Sequence, residues 1–189
     1  MKRFVKTTVP SDGYKEVQQI GDRYLVHMEG VQDGDATTCY ECMTDDEPDL
    51  AQLSEDLQEY KAYVAAKELE VAKREKIAAL MAYDSSDAVN SFTINGVSMW
   101  LDHQKREQLR VSVEAYKATG TETVTKWFGG VAYTFNVNAW IQMLNVLEVY
   151  ASEALNNTER HKAVINTITT VAEVEAYDFE TGYPAKPEF

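Results

Sequence analysis

Cys39 and Cys42 form a C-x-x-C, the spacing in this chain most suggestive of metal or redox chemistry. A structural zinc site needs four ligands, and the other candidates, His27, His103 and His161, are widely separated in sequence. A redox pair belongs at the start of a helix, where the dipole lowers a thiol pKa. Residues 37–43 read instead as a strand, in which side chains three positions apart point to opposite faces. The expectation is two ordinary thiols, unpaired, as suits synthesis in a reducing cytoplasm. Acidic groups are the other abundant resource. No Lys or Arg occurs between Arg23 and Lys61, whereas Asp33, Asp35, Glu41, Asp45, Asp46, Glu47 and Asp49 all fall there. A calcium loop of the EF-hand kind, counted from Asp33, would need Gly at Thr38 and a bidentate acid at Thr44, so the run reads as a solvated acidic turn.

Other chemistries also lack their residues. There is no G-x-S-x-G, and Asp102 and His103 are sequence neighbours at a helix start rather than an assembled pair. Gly129-Gly130 has no following Lys and separates two strand-like runs, which excludes a phosphate-cradling loop. Carboxylate pairs for glycoside cleavage are spatial, and nothing in the sequence singles one out. Trp100, Trp127 and Trp140, with 11 Tyr, could form a sugar-stacking shelf, but they lie in strands and a first helical turn, where large aromatics fill core. The reading is non-enzymatic: no catalytic residue, no metal ligand and no cofactor.

The elements that would position these groups fall into three segments. Residues 1–49 hold short strand-like runs at Phe4-Val5, 17–20, 24–28 and 37–43, separated by Gly21-Asp22 and by Gly30 and Asp33-Gly34. They predict a three- or four-stranded antiparallel meander, a docking or oligomerisation unit too small to stand comfortably alone. Residues 50–83 contain neither Gly nor Pro and predict one long helix. Asp46 or Glu47 would cap it, Pro48 would sit in its first turn, and Asp49 would favour its positive end. A heptad frame puts Leu50, Leu53, Leu57, Tyr60 and Val64 on one seam, the candidate self-association surface; further on, Lys67 and Arg74 occupy core positions.

Residues 84–189 alternate hairpins and helices. Asn95-Gly96 is a type I′ turn signal between residues 91–94 and 97–101. Asp102 can cap a helix to about Ala118, and a second hairpin turns at Gly129-Gly130. Asn138 would cap a further helix carrying Ile141, Leu144, Leu147, Val149, Tyr150 and Leu155 as apolar positions. Thr158 would open another helix to about Ile168, and a last short one starts near Thr170. Together these predict an α+β fold: a small N-terminal antiparallel β unit, a long connecting helix, and a C-terminal domain of two β-hairpins packed with several helices.

Composition narrows the partners. The 189 residues carry 18 basic against 31 acidic side chains, a formal charge of -13, which argues against nucleic acid and anionic membrane surfaces. No apolar run of membrane-spanning length occurs, and MKRFVKTTVPSDG has no apolar stretch behind its basic residues, so no secretory signal is expected.

The text YDSSDAVNSFTINGVSMWLDHQKREQLR at 83–110, TVTKWFGGVAYTF at 123–135, MLNVLEVYASEALNNTERHKAVI at 143–165 and VEAYDFETGYP at 174–184 resembles an uncharacterised domain family. That family stands at the C-terminal end of tail-fibre and tail-fibre-assembly proteins of bacteriophages and prophages of Bacteroides-type hosts. The resemblance covers residues 83–184 and brings no catalytic residues with it. It implies a virion structural or accessory protein, associated with tail or fibre and made in the bacterial host cytoplasm. Its expected partners are other virion proteins and further copies of itself as a homo-oligomer, with no nucleic acid and no membrane. A tail-fibre assembly chaperone and a glycan-binding surface module are the alternatives.

Overall fold

The computed structural model describes residues 2–189. The fold is α+β, as the sequence predicts, and the chain divides into two compact units, one ending at Glu70 and one starting at Val71.

The first unit is a four-stranded antiparallel sheet. Its strands are β1 (Val5–Pro10), β2 (Val17–Ile20), β3 (Arg23–Asp33) and β4 (Ala36–Thr44), in the order β1-β4-β3-β2. The two tight turns fall where the glycines predict, with Gly21 at φ 66° and Gly34 at φ 59°. The simple meander does not: β1 leaves β2 and pairs with β4, in the register Val5 to Glu41 and Pro10 to Ala36. Residues 11–16 therefore cross from one edge of the sheet to the other. Three bonds fasten the crossing: Ser11 N–H to Asp35 O (2.9 Å), His27 N–H to Glu16 O (2.8 Å), and the hydroxyls of Ser11 and Thr37 (3.0 Å). Pro10, which has no N–H to give, ends β1 on an outer edge. In β3, Glu29 and Gly30 together face Cys39, a bulge in which Glu29 takes the left-handed conformation at φ 51°.

Helix α1 (Leu50–Asp84) begins one residue after Asp49. Asp49, rather than Asp46 or Glu47, is the cap: its Oδ1 accepts from the N–H groups of Ala51 (3.0 Å) and Gln52 (3.2 Å). The residue before Pro48, Glu47, is biased away from helical backbone, which disfavours a start further upstream. Leu53 and Leu57 then pack with Phe4, Val26 and Cys42 to form the core of this unit.

The second unit starts with the remainder of α1. Hairpin β5 (Phe92–Ile94) and β6 (Val97–Met99) turns through Asn95 and Gly96, at φ 52° and 77°, the type I′ turn expected. The chain's last residues add to it: Phe189 N–H donates to Thr93 O (2.9 Å), and Asn95 N–H to Phe189 O (2.8 Å). Helix α2 (His103–Ala118) is capped by Asp102, which accepts from Lys105 N–H (2.8 Å). Hairpin β7 (Thr123–Phe128) and β8 (Val131–Asn136) leads directly into α3 (Val137–Thr167), and α4 (Val171–Ala176) is capped by Thr170.

Two helix expectations are corrected. The cap of α3 is Asn136, whose side chain accepts from Asn138 N–H (2.9 Å), and α3 continues unbroken through Thr158. The Thr158 hydroxyl is engaged elsewhere, donating to Asp84 Oδ1 at 2.6 Å, so it does not start a new helix. The main core gathers Phe92, Ile94, Val113, Trp140, Leu144 and Leu147, with Trp140 Nε1–H donating to Val124 O (3.0 Å). Lys73 Nζ donates to Asn166 O (2.7 Å) and Lys76 Nζ to Glu175 O (2.9 Å), so cations of α1 satisfy carbonyls at the negative ends of α3 and α4.

Candidate assembly surfaces

The thiols behave as the strand periodicity predicts. Cys39 and Cys42 lie on opposite faces of β4, both buried and both free. Burial pushes both thiols above the ordinary value, reinforced at Cys39 by the charge of Glu41 and at Cys42 by Asp56 and Glu41. That is the environment of an inert thiol rather than a nucleophile. Among the described residues, no three His, Cys, Asp or Glu side chains gather in a way that could hold a metal ion.

The histidines are separately engaged. His27 is buried beneath Tyr14 (ring centroids 5.7 Å apart), with Nδ1 2.8 Å from Lys15 O and Nε2 3.3 Å from Glu41 Oε2. Each ring nitrogen thus faces an acceptor. His103 is exposed at the start of α2, 3.7 Å from Glu107. His161 is buried on α3, with Nδ1 2.6 Å from the Tyr177 hydroxyl and Nε2 2.9 Å from Thr181 O. A carbonyl only accepts, so Nε2 carries a proton. Beside it, Asn157 Nδ2 donates to the same carbonyl (2.9 Å), and the Thr158 and Tyr183 hydroxyls meet at 2.8 Å. Because Thr158 gives its proton to Asp84, Tyr183 donates to Thr158. This network fastens residues 177–183 to α3, and no local pattern announces it, since its members lie up to 99 positions apart.

The five candidate self-association residues separate. Leu53 and Leu57 are 3% and 0% exposed, both facing the sheet of their own chain. Tyr60 packs against Phe4, ring centroids 5.7 Å apart. Leu50, 36% exposed, and Val64, partly exposed, remain at the surface. Val64 lines an open groove of about 560 Å³ with Lys6, Tyr40, Tyr60, Lys61 and Glu68. The first half of the seam thus closes a core within one chain, and only its two ends remain available to another.

Of the three tryptophans, Trp140 is core, and Trp100 lies partly buried against Phe92 and Tyr150. Trp127 is not core: it is 69% exposed. Strand parity decides this, because Val124 and Phe128 point to the core with Tyr133 and Phe135, which sends Thr125 and Trp127 outward. Val131 is exposed next to the Gly129-Gly130 turn, which adopts φ 57° and 81°. The outer face of α3 displays Val146 and Val149, and Leu155 is also exposed. Val149 and Leu155, apolar positions of this helix in the sequence, lie at the surface, and the line that faces inward runs through Asn157, Thr158 and His161.

Comparison with known proteins gives no match to any protein-family model, any curated protein or any solved structure.

Proposed function

We propose that this chain is a non-enzymatic assembly protein, a bacteriophage virion structural or accessory component associated with tail or fibre. The observation that carries the assembly role is Trp127, 69% exposed near the end of a two-stranded hairpin, opposite Ala132 on the face turned away from the core. A large aromatic displayed on a hairpin is the kind of anchor that dominates protein–protein contacts. The particle context rests on the resemblance of residues 83–184. The free thiols suit such a role, being buried away from chemistry.

Quantitative mass spectrometry of purified particles from the phage or induced prophage encoding the chain tests this. A fixed stoichiometry to capsid or portal proteins is the expected result. Presence in the lysate but absence from particles would turn the reading to an assembly chaperone. A glycan-binding module, the third reading, would show quenching or enhancement of tryptophan fluorescence with host polysaccharide, lost in Trp127→Ala.

A further inference from the structure

The outer face of α3 is poor in charge for so acidic a chain. Opposite the core, residues recur at three- and four-residue spacing as Val146, Val149, Glu153, Asn156, Arg160 and Val164, bounded by Gln142 and Thr167. All are exposed, Val146 by 46% and Val149 by 58%. The stripe is about 37 Å long at 1.5 Å per residue. Its only charges are Glu153 and Arg160, and among the described residues neither forms an ion pair; the flanking Glu148 and Glu159 are engaged by Arg106 and Lys162. Arg160 is exposed at the edge of this face, with one guanidinium nitrogen turned back to donate to Asn157 Oδ1 beside Gly182.

We infer that this face binds the same face of a second copy of the chain, the two α3 helices running antiparallel about a two-fold axis beside Asn156. A two-fold contact requires a self-complementary patch. Run antiparallel, the stripe brings Glu153 opposite Arg160 of the second copy, and Arg160 opposite its Glu153. The same register sets Val149 opposite Val164 and Val146 opposite Thr167. A parallel pairing would oppose Glu153 to Glu153 and Arg160 to Arg160, so the charges select the antiparallel arrangement. This contact is distinct from the α1 seam and from Trp127, and it stands or falls independently of any particle.

Sedimentation equilibrium of the full chain over a dilution series tests it. A monomer–dimer equilibrium is expected. Glu153→Arg or Arg160→Glu alone should weaken it roughly tenfold, since each change turns two attractions into two repulsions. The double swap Glu153→Arg with Arg160→Glu recreates both pairs and should restore dimerisation. All these positions are exposed, and an unchanged unfolding midpoint verifies that each variant folds. A wild-type chain that stays monomeric, single reversals without effect, or a double swap that fails to rescue would each overturn the assignment. So would a dimer that dissociates on Leu50→Asp or Val64→Asp and ignores the α3 changes, because its contact would be on α1.

Discussion

The ring of Tyr14 fills the space that a side chain at Gly30 would need: a Cβ there would stand 2.6 Å from the phenolic oxygen. Two features depend on this approach, the bulge in β3 that contains Gly30 and the crossing loop 11–16 that carries Tyr14. The ring also lies over His27, so one aromatic closes the sheet face that α1 leaves open.

Gly30→Ala should therefore destabilise the first unit by about 1–3 kcal/mol through overpacking. Combined with Tyr14→Ala, which removes the obstructing ring, the two costs should sum to less than their separate values. Chemical denaturation of the four proteins in the cycle measures this coupling. Simple additivity would mean that the ring yields freely.

Replacing Thr158 separates hydrogen bonding from packing. Thr158→Val keeps the shape but leaves Asp84 and Tyr183 without their shared partner, at a cost of about 1–3 kcal/mol. Thr158→Ser keeps the hydroxyl and loses one methyl, costing about 0.8 kcal/mol. Unfolding midpoints in urea should rank wild type, Ser, then Val; the reverse order for Ser and Val would dismiss the hydroxyl as a tie.

Alkaline pH should loosen the fold. Burial raises Cys39, Cys42, Tyr14, Tyr150 and Tyr183 above their ordinary values. A group whose proton is held more tightly in the folded chain contributes fully below its unfolded pKa and loses that contribution as pH rises. Stability should be flat on this account up to about pH 8 and fall from about pH 9 upward, thiols first and tyrosines next. Cys39→Ala with Cys42→Ala should remove the first part of the decline, followed by thermal melts at stepped pH. At the acid end the sign reverses: the hydrogen bond from Lys61 lowers Glu29, so its contribution disappears as pH falls below the carboxylate range.

Leu57→Asp places a charge in a core position that is 0% exposed and should unfold the first unit, at several kcal/mol. Hydrogen exchange would show β1 to β4 losing protection. Val64→Asp, at the rim of the groove, should shift stability by no more than about 0.5 kcal/mol. A change in oligomer mass is therefore interpretable for Val64→Asp and not for Leu57→Asp.

What proved legible in the sequence was what short-range chemistry decides. Asn95-Gly96 specifies its turn alone, and Asp102 and Thr170 cap helices through bonds to residues three positions on. Thr158 caps no helix because its hydroxyl answers to Asp84, 74 positions away, in place of its own backbone. The pairing of β1 with β4 is equally non-local, resting on Phe4 reaching Leu53 and Leu57. On α3 the buried line carries Asn157, Thr158 and His161, polar residues that interrupt its apolar signal, while Val149 and Leu155 suggest a different inner face. Trp127 lies outside because alternation within a hairpin does not say which of its two sides will be covered.

The order β1-β4-β3-β2 also sets a timetable. Phe4 is made before the side chains that enclose it, which include Cys42, Leu53 and Leu57. At elongation rates of about 5–20 residues per second, the wait from Phe4 to Leu57 lasts roughly 3 to 10 s, far longer than a hairpin needs to close. The β2-β3-β4 hairpins can therefore form on the ribosome while β1, made before them, is still unpaired, and β1 is incorporated late.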